Sequence, residues 1–361
     1  MSAGNNDILD REDATDHESV TYNVNHTNHL NHTNNEGYTN HENATNRVNG
    51  TSHVNGTNYE EDTNHDEGSD SNNNDKEIPV RELYVRECNV SSPKDATNIV
   101  EIYGMVQSCL PGHIFIVDYG NKCIKLLDQS FVQVTHYESV FQPWDLAVID
   151  DSFIVVTFPF VRLMQMFKIK HKMQIFPWFP IKAQNEYYAV CADRKRIIAT
   201  CKYDGENLTD KPSVHVMDHK GNVELIVDTD ADGERLFNDP DYICMDESLQ
   251  VVYVSDSGNR NIISLNLKGD ILATFTNDAF EPRGITFDRK NGYVYVYDNT
   301  SQSIHKLDQD LKPLETIVSK REPLTDVLCI LYNTKKDKML VTTYNNCRIK
   351  VIYMNDSGFF V

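Results

Sequence analysis

Residues 242–275 read YICMDESLQVVYVSDSGNRNIISLNLKGDILATF. Four short runs rich in Val, Ile, Leu, Tyr and Phe (242–246, 251–256, 262–266 and 271–275) are separated by Gly, Asn, Asp and Ser. β-Branched and aromatic residues favour a pleated, half-buried backbone, and the intervening residues tolerate the tight conformations of turns, so this is a meander of four strands. The same text follows at once: 284–288 (GITFD), 293–298 (YVYVYD), 304–308 (IHKLD) and 314–318 (LETIV). No window between them shows the i, i+3, i+4, i+7 stripe of an amphipathic helix.

The join between second and third strands sets the phase of the repeat. It reads DYGNKCI from Asp118, DSGNRNI from Asp256 and DNTSQSI from Asp298. Weaker copies start at Thr343 (TYNNCRI) and Thr157 (TFPFVRL). An Asp or Thr can bond its own backbone two residues on, and Gly or Asn accepts the left-handed geometry of a tight hairpin. Asp118, Asp256 and Asp298 are therefore read as structural turn residues, not as catalytic acids. The anchors at 118, 157, 256, 298 and 343 leave one gap of 99 residues. It holds a further set at 188–191, 197–200, 214–218 and 223–227, with a long loop at 202–213. Six sets of about 45 residues match four-stranded propeller blades. The sixth set (327–331, 339–343, 349–354) lacks a fourth strand, and a spare strand at 81–90 precedes the first blade. Pairing the two would close the ring and leave no open sheet edge. The expected fold is all-β: a six-bladed β-propeller over residues 79–361, closed by an N-terminal strand.

Residues 1–78 differ in kind. They carry 16 of the 54 acids, 3 of the 34 bases and 18 asparagines. Thr21, Thr27, Thr33, Thr39, Thr45, Thr51, Thr57 and Thr63 recur every six residues. A β-helix of that period needs an aliphatic residue in each rung, and here the repeated positions are polar. Nothing can be buried to offset conformational entropy, so a disordered low-complexity tail is expected. Without a scaffold its spaced histidines make a poor metal site. Its Asn-x-Thr sequons matter only after secretion, and no basic-then-apolar signal opens the chain.

Residues 251–275 followed by PRGITFD (282–288) resemble NHL repeats. The text IYGMV (102–106) and IFIVDYGNKCIKLLD (114–128) resembles the C-terminal propellers of tripartite-motif TRIM-NHL proteins of the kind expanded in molluscs and other invertebrates. The resemblance spans residues 81–354. It implies a TolB/NHL-like propeller in a ubiquitin-ligase context, recruiting protein substrates or, in some members, RNA. The family's ligase chemistry needs RING and B-box zinc sites built from paired Cys and His. Residues 1–80 contain no cysteine and no coiled-coil heptads, so no ligase activity is expected from this text.

The remaining expectations concern sites. Some six-bladed propellers, such as gluconolactonase-like hydrolases, hold calcium at the channel mouth. The residues opening each innermost strand would be Gly104, Asp145, Tyr187, Tyr242, Gly284 and Asp326. Calcium takes about six to eight oxygen ligands, and two acids and two tyrosines do not supply them. No cofactor or metal is expected, and the chain is read as a binding module, not an enzyme. The net charge of −20 argues against RNA, since phosphate binding needs a continuous basic surface. Eight scattered cysteines without a Cys-x-x-Cys pair suggest free thiols in a monomeric cytoplasmic protein, and no apolar run is long enough to span a membrane. A protein or peptide partner is expected at blades 2 and 3, where Phe158 and Phe160 tip a hairpin and Trp144, Trp178 and Phe179 occupy flanking connections.

Overall fold

A computed structural model of the chain describes residues 78–170, 173–202, 211–320 and 322–354. The expectations for the N-terminal tail and for most of the 202–213 loop lie outside them.

The described residues form six sheets around one axis, antiparallel except where one added strand joins the fifth. The first blade is β3 (Ile102–Gln107), β4 (Ile114–Asp118), β5 (Cys123–Leu127) and β6 (Gln133–Glu138). The second is β7 (Leu146–Val148), β8 (Phe153–Phe158), β9 (Leu163–Ile169) and β10 (Ile175–Lys182). The third is β11 (Tyr187–Ala192), β12 (Ile197–Cys201), β13 (Ser213–Met217) and β14 (Val223–Val227), and the fourth β15 (Pro240–Asp246), β16 (Val251–Asp256), β17 (Asn261–Asn266) and β18 (Ile271–Thr276). The fifth has β19 (Pro282–Asp288), β20 (Tyr293–Asp298), β21 (Ser303–Leu307) and β22 (Pro313–Ser319). The sixth has β23 (Val327–Asn333), β24 (Lys338–Thr343) and β25 (Arg348–Tyr353).

The innermost strands β3, β7, β11, β15, β19 and β23 stand side by side, and β23 returns to β3. Middle strands are buried on both faces, as in β4 and β12, because each sheet is sandwiched between two others. Outer strands such as β18 are largely exposed. Six apolar cores fill the six wedges between neighbouring blades; the wedge of blades 1 and 2 contains Phe115, Ile124, Leu146, Val156 and Phe167.

Closure is richer than a single strand. β2 (Val85–Asn89) pairs antiparallel with β25 and completes the sixth blade. β1 (Val80–Leu83) pairs parallel with β22 and gives the fifth blade a fifth strand. The chain changes blade at Tyr84, which is exposed. A hydroxyl near the end of several second strands ties one blade to the next. Thr157 Oγ1 donates to Tyr188 O at 2.7 Å, Ser255 Oγ to Arg283 O at 2.8 Å and Thr342 Oγ1 to Ile102 O at 2.9 Å. Among the described residues, no helix is long and apolar enough to cross a membrane.

Candidate functional site

One face of the propeller carries the connections between blades and the hairpins joining second to third strands. The other carries the hairpins joining first to second strands. On the first face each anchor aspartate does two jobs. Asp118 accepts from the backbone N–H groups of Glu101 and Asn121, Asp256 from Asn238, Asp239 and Asn259, and Asp298 from Glu281, Thr300 and Ser301. Each carboxylate thus caps its own hairpin and pins the incoming blade connection. These partners satisfy all three buried carboxylates, which accounts for their recurrence without any chemistry.

Blade 2 breaks the pattern and builds an aromatic cluster. The equivalent of the anchor is Phe158, since Phe158 pairs with Leu163 as Asp256 pairs with Asn261. This shifts the phase by one residue from Thr157. Phe158 is 2% exposed and packs in the wedge between blades 1 and 2, which corrects its expected place at a hairpin tip. A 3-10 turn, Pro159–Val161, follows. It is closed by an Arg162 N–H bond to Pro159 O at 2.8 Å, with Arg162 in the left-handed region at φ 49°. The proline and this closure hold Phe160 outward, 56% exposed. Phe160 lies 5.8 Å from Trp144, 6.5 Å from Tyr119 and 6.3 Å from Tyr188, all edge-on. Tyr103 stands 4.4 Å from Trp144. Five rings from blades 1, 2 and 3 therefore form one partly open surface in the geometries aromatic pairs prefer.

Trp178 and Phe179 do not join it. Both lie within β10, the outer strand of blade 2, so they face the propeller's rim and not a blade connection. Trp178 packs 5.9 Å from Phe153 with Lys168 Nζ 4.8 Å from its ring centroid. Next to the cluster is a charged network. Lys202 Nζ is 5.6 Å from the Tyr188 ring, 2.9 Å from Asp239, and paired with Asp241. Arg283 continues it, at 3.3 Å from Asp241 and 2.8 Å from Glu281.

The channel departs from its expected lining in two places. Residues opposite the position before the anchor are Gly104, Asp145, Ala189, Tyr242, Gly284 and Cys329. Tyr187 is instead buried between blades 2 and 3, 2.7 Å from His215 Nδ1. Asp326 is exposed on the loop before β23 in a left-handed conformation. Asp145 and Tyr242 do line the channel. One carboxylate at this tier is a poor donor set for calcium. Burial pushes the Asp145 carboxyl up to about 7, against the backbone N–H groups of Val190 and Leu146, which favour its charge.

The one described group of acids and thiols close enough to share an ion is Asp95, Asp118 and Cys123. It already holds a cation. Lys125 Nζ lies 2.6 Å from Asp95 Oδ1 and 2.8 Å from Asp118 Oδ2, and Asn121 also donates to Asp118. Burial works against the Lys125 charge, yet Asp118 and then Asp95 hold its pKa above the usual lysine value. The cluster is a buried ion pair, and burial pushes the neighbouring Cys123 thiol up to about 12.

These features define the class: a six-bladed β-propeller with an aromatic surface on one face and a one-carboxylate channel. No protein-family model matches the sequence, and none of the curated proteins matches it. Solved structures do resemble it. A luciferin-regenerating enzyme is 14% identical with a TM-score of 0.55, over 74% of this chain and 95% of that one. A streptogramin B lyase is 12% identical with a TM-score of 0.52, over 76% and 98%. A chain from a nidogen/laminin complex is 14% identical with a TM-score of 0.50, over 61% and 80%. At such identities the likeness establishes the fold alone, and the fold hosts both enzymes and binding proteins.

Proposed function

We propose that the propeller is a recognition module for a protein or peptide, engaged through the aromatic cluster of Phe160, Trp144, Tyr119, Tyr103 and Tyr188. The role is that of the substrate-recruiting propeller in TRIM-NHL ligases, without ligase chemistry of its own. The observation that carries this reading is Phe160. A large ring held outward on a rigid 3-10 turn, amid four more rings, has already met the entropy cost of ordering before a partner arrives. Trp, Tyr and other aromatic anchors dominate interface energetics when surrounded by groups that exclude water. The adjoining Lys202–Asp241–Arg283 network supplies a polar rim that can set register. The sequence resemblance to NHL repeats and the occurrence of this fold in a nidogen/laminin complex support the same reading. Residues 79–361 carry 38 acids against 31 bases, a balance that weighs against RNA.

Phe160→Ser tests it. The substitution removes an exposed ring, so the melting temperature should stay within about 2 °C, in line with the small stability effects of surface changes. Proteins captured from native extract by the wild type and lost by the variant, identified by mass spectrometry and re-tested pairwise with purified partner, should show at least tenfold weaker binding. Retained binding at that level, or loss of an RNA in place of a protein, would overturn the proposal.

A further inference from the structure

The channel contains a feature that protein recognition does not use. A cavity of about 530 Å³ opens on the face opposite the aromatic cluster and runs inward to Asp145, Tyr242 and Cys329. That volume falls in the range of small-molecule sites, about 300–1,000 Å³. Its lining is mixed: Met105, Ile285, Phe287 and Ile330 contribute apolar surface, and Gln107, Ser108 and Thr286 contribute polar surface. At the mouth the charges balance, with Arg289 paired to Glu247 at 2.5 Å.

Among the described residues, Asp145 is the only acid at the inner end. Its Oδ2 accepts from Val190 N–H at 2.9 Å. Among the described residues, no Lys, Arg or His forms an ion pair with it. A Cβ on Gly104 would fall 2.4 Å from its Oδ1, so glycine there is what gives the carboxylate its place. Gly284 stands at the same tier of the fifth blade. The Tyr242 hydroxyl makes no hydrogen bond among the described residues. Backbone N–H groups of Val190 and Leu146 favour its charge but no cation offsets its burial, and a carboxyl group so placed in a cleft is a candidate ligand group.

We propose that the channel is a binding site for a small organic amine, bound as its ammonium ion on Asp145 with its organic body filling the cavity that Met105, Ile285, Phe287 and Ile330 help to line. The donor set selects this class. A metal ion would need further ligand atoms, and the only described group close enough to share one is the Asp95 cluster outside the channel. An anion would meet the carboxylate. The thiols of Cys191, Cys244 and Cys329 are pushed up by burial, as is the Tyr242 hydroxyl, so all four are neutral near pH 7 and serve as walls and a hydrogen-bonding group. Asp145 is then the group inside the channel that titrates near neutrality; Glu247, Asp150, Asp151, Arg194, Arg289 and Lys335 stand at the mouth. Below about pH 7 a proton on Asp145 occupies the place of the ammonium. Binding therefore requires its release and weakens as pH falls through about 7.

Calorimetric titration of the full chain with phenethylamine, 2-phenylethanol and phenylacetate separates charge from shape. The amine alone should bind saturably with one site. In the wild type, its affinity should drop about tenfold per pH unit below pH 7 and level off above pH 8, a readout that needs no mutation. Asp145→Asn should weaken amine binding at pH 8 at least tenfold with the circular dichroism spectrum retained. Equal binding of the alcohol, no saturable amine binding, affinity independent of pH, or full affinity in the variant would each overturn the proposal.

Discussion

His215 shows how a single buried side chain can shape the response of the whole fold to acid. On β13, its Nδ1 lies 2.7 Å from the Tyr187 hydroxyl and its Nε2 3.0 Å from the Ser213 hydroxyl. Burial pushes its pKa down to about 4, despite Asp228, which pulls the other way. The folded state thus refuses a proton that the unfolded chain accepts between about pH 6.5 and 4, and the stability His215 contributes is lost as pH falls through that window. Asp145 acts with the opposite sign: held up at about 7, it keeps a proton the unfolded chain has released, so its contribution declines as pH rises from about 4 to 7. The two partly cancel in the wild type, and a difference measurement separates them. His215→Leu should be less stable at pH 7 by about 1–3 kcal/mol, because Tyr187 and Ser213 lose a buried partner. That deficit should shrink toward pH 4.5, by up to about 1.4 kcal/mol per pH unit. Urea unfolding of both proteins at pH 7, 6 and 5 gives the answer; a deficit constant across pH would exclude a neutral, buried imidazole.

At the scale of strands, the ring is held shut by its first two. β2 supplies the outer strand of blade 6, and Val90 N–H adds a bond to Cys347 O at 2.9 Å. β1 braces blade 5, where Thr316 N–H bonds Pro79 O and Lys320 N–H bonds Leu83 O, both at 2.9 Å. Leu83 and Val90 are buried in two different wedges, those of blades 5–6 and 6–1. Their burial alone is worth about 3–6 kcal/mol at about 1.5–3 kcal/mol per side chain. A chain starting at Ser91 should accordingly melt lower and more broadly than one starting at Ile78; equal, sharp transitions in scanning calorimetry would contradict the closure. Such a strand was legible in the sequence, because the run at 81–90 belongs to none of the six sets. Its division at Tyr84 was not, since VRELYVRECNV contains no Gly or Pro to mark a break. The same limit governs the channel. Register shifts fall near the start of the inner strand in five blades, between Ile102 and Gly104, Tyr187 and Val190, Pro240 and Tyr242, Pro282 and Ile285, and Val327 and Cys329. A bulge adds a residue that the hydrophobic pattern does not display, so counting from the strand's apparent start misplaces Tyr187 and Asp326. Phe158 was misplaced for a related reason: an apolar residue had replaced the polar anchor, and with it the signal that fixes the phase.

For the molecule as a whole, a closed ring makes each blade's stability depend on both neighbours, because every core lies between two sheets and none within one. The cysteines report on this directly. No disulfide joins the eight, and they sample four blades: Cys109 and Cys123 in the first, Cys191 and Cys201 in the third, Cys244 in the fourth, and Cys88, Cys329 and Cys347 in the sixth. Cys109 is exposed on the hairpin after β3, while Cys123, Cys191, Cys201 and Cys329 are buried. Burial also pushes the thiols of Cys123, Cys191, Cys244 and Cys329 up, and since the thiolate is the reacting species, all four react slowly in the native state. In native protein without reductant, a thiol reagent should therefore label Cys109 within minutes and those four far more slowly. As urea is raised, Cys123, Cys191, Cys244 and Cys329 should lose protection over one common transition, coincident with the loss of β circular dichroism, because removing any blade exposes two wedges at once. Peptide mapping of the labelled sites resolves each blade separately. If the first-blade thiol opens at a lower urea concentration than those of the third and fourth blades, the ring yields at its seam and the blades are energetically separable; a single midpoint for all four means that the β2–β25 pairing binds the six sheets into one cooperative unit.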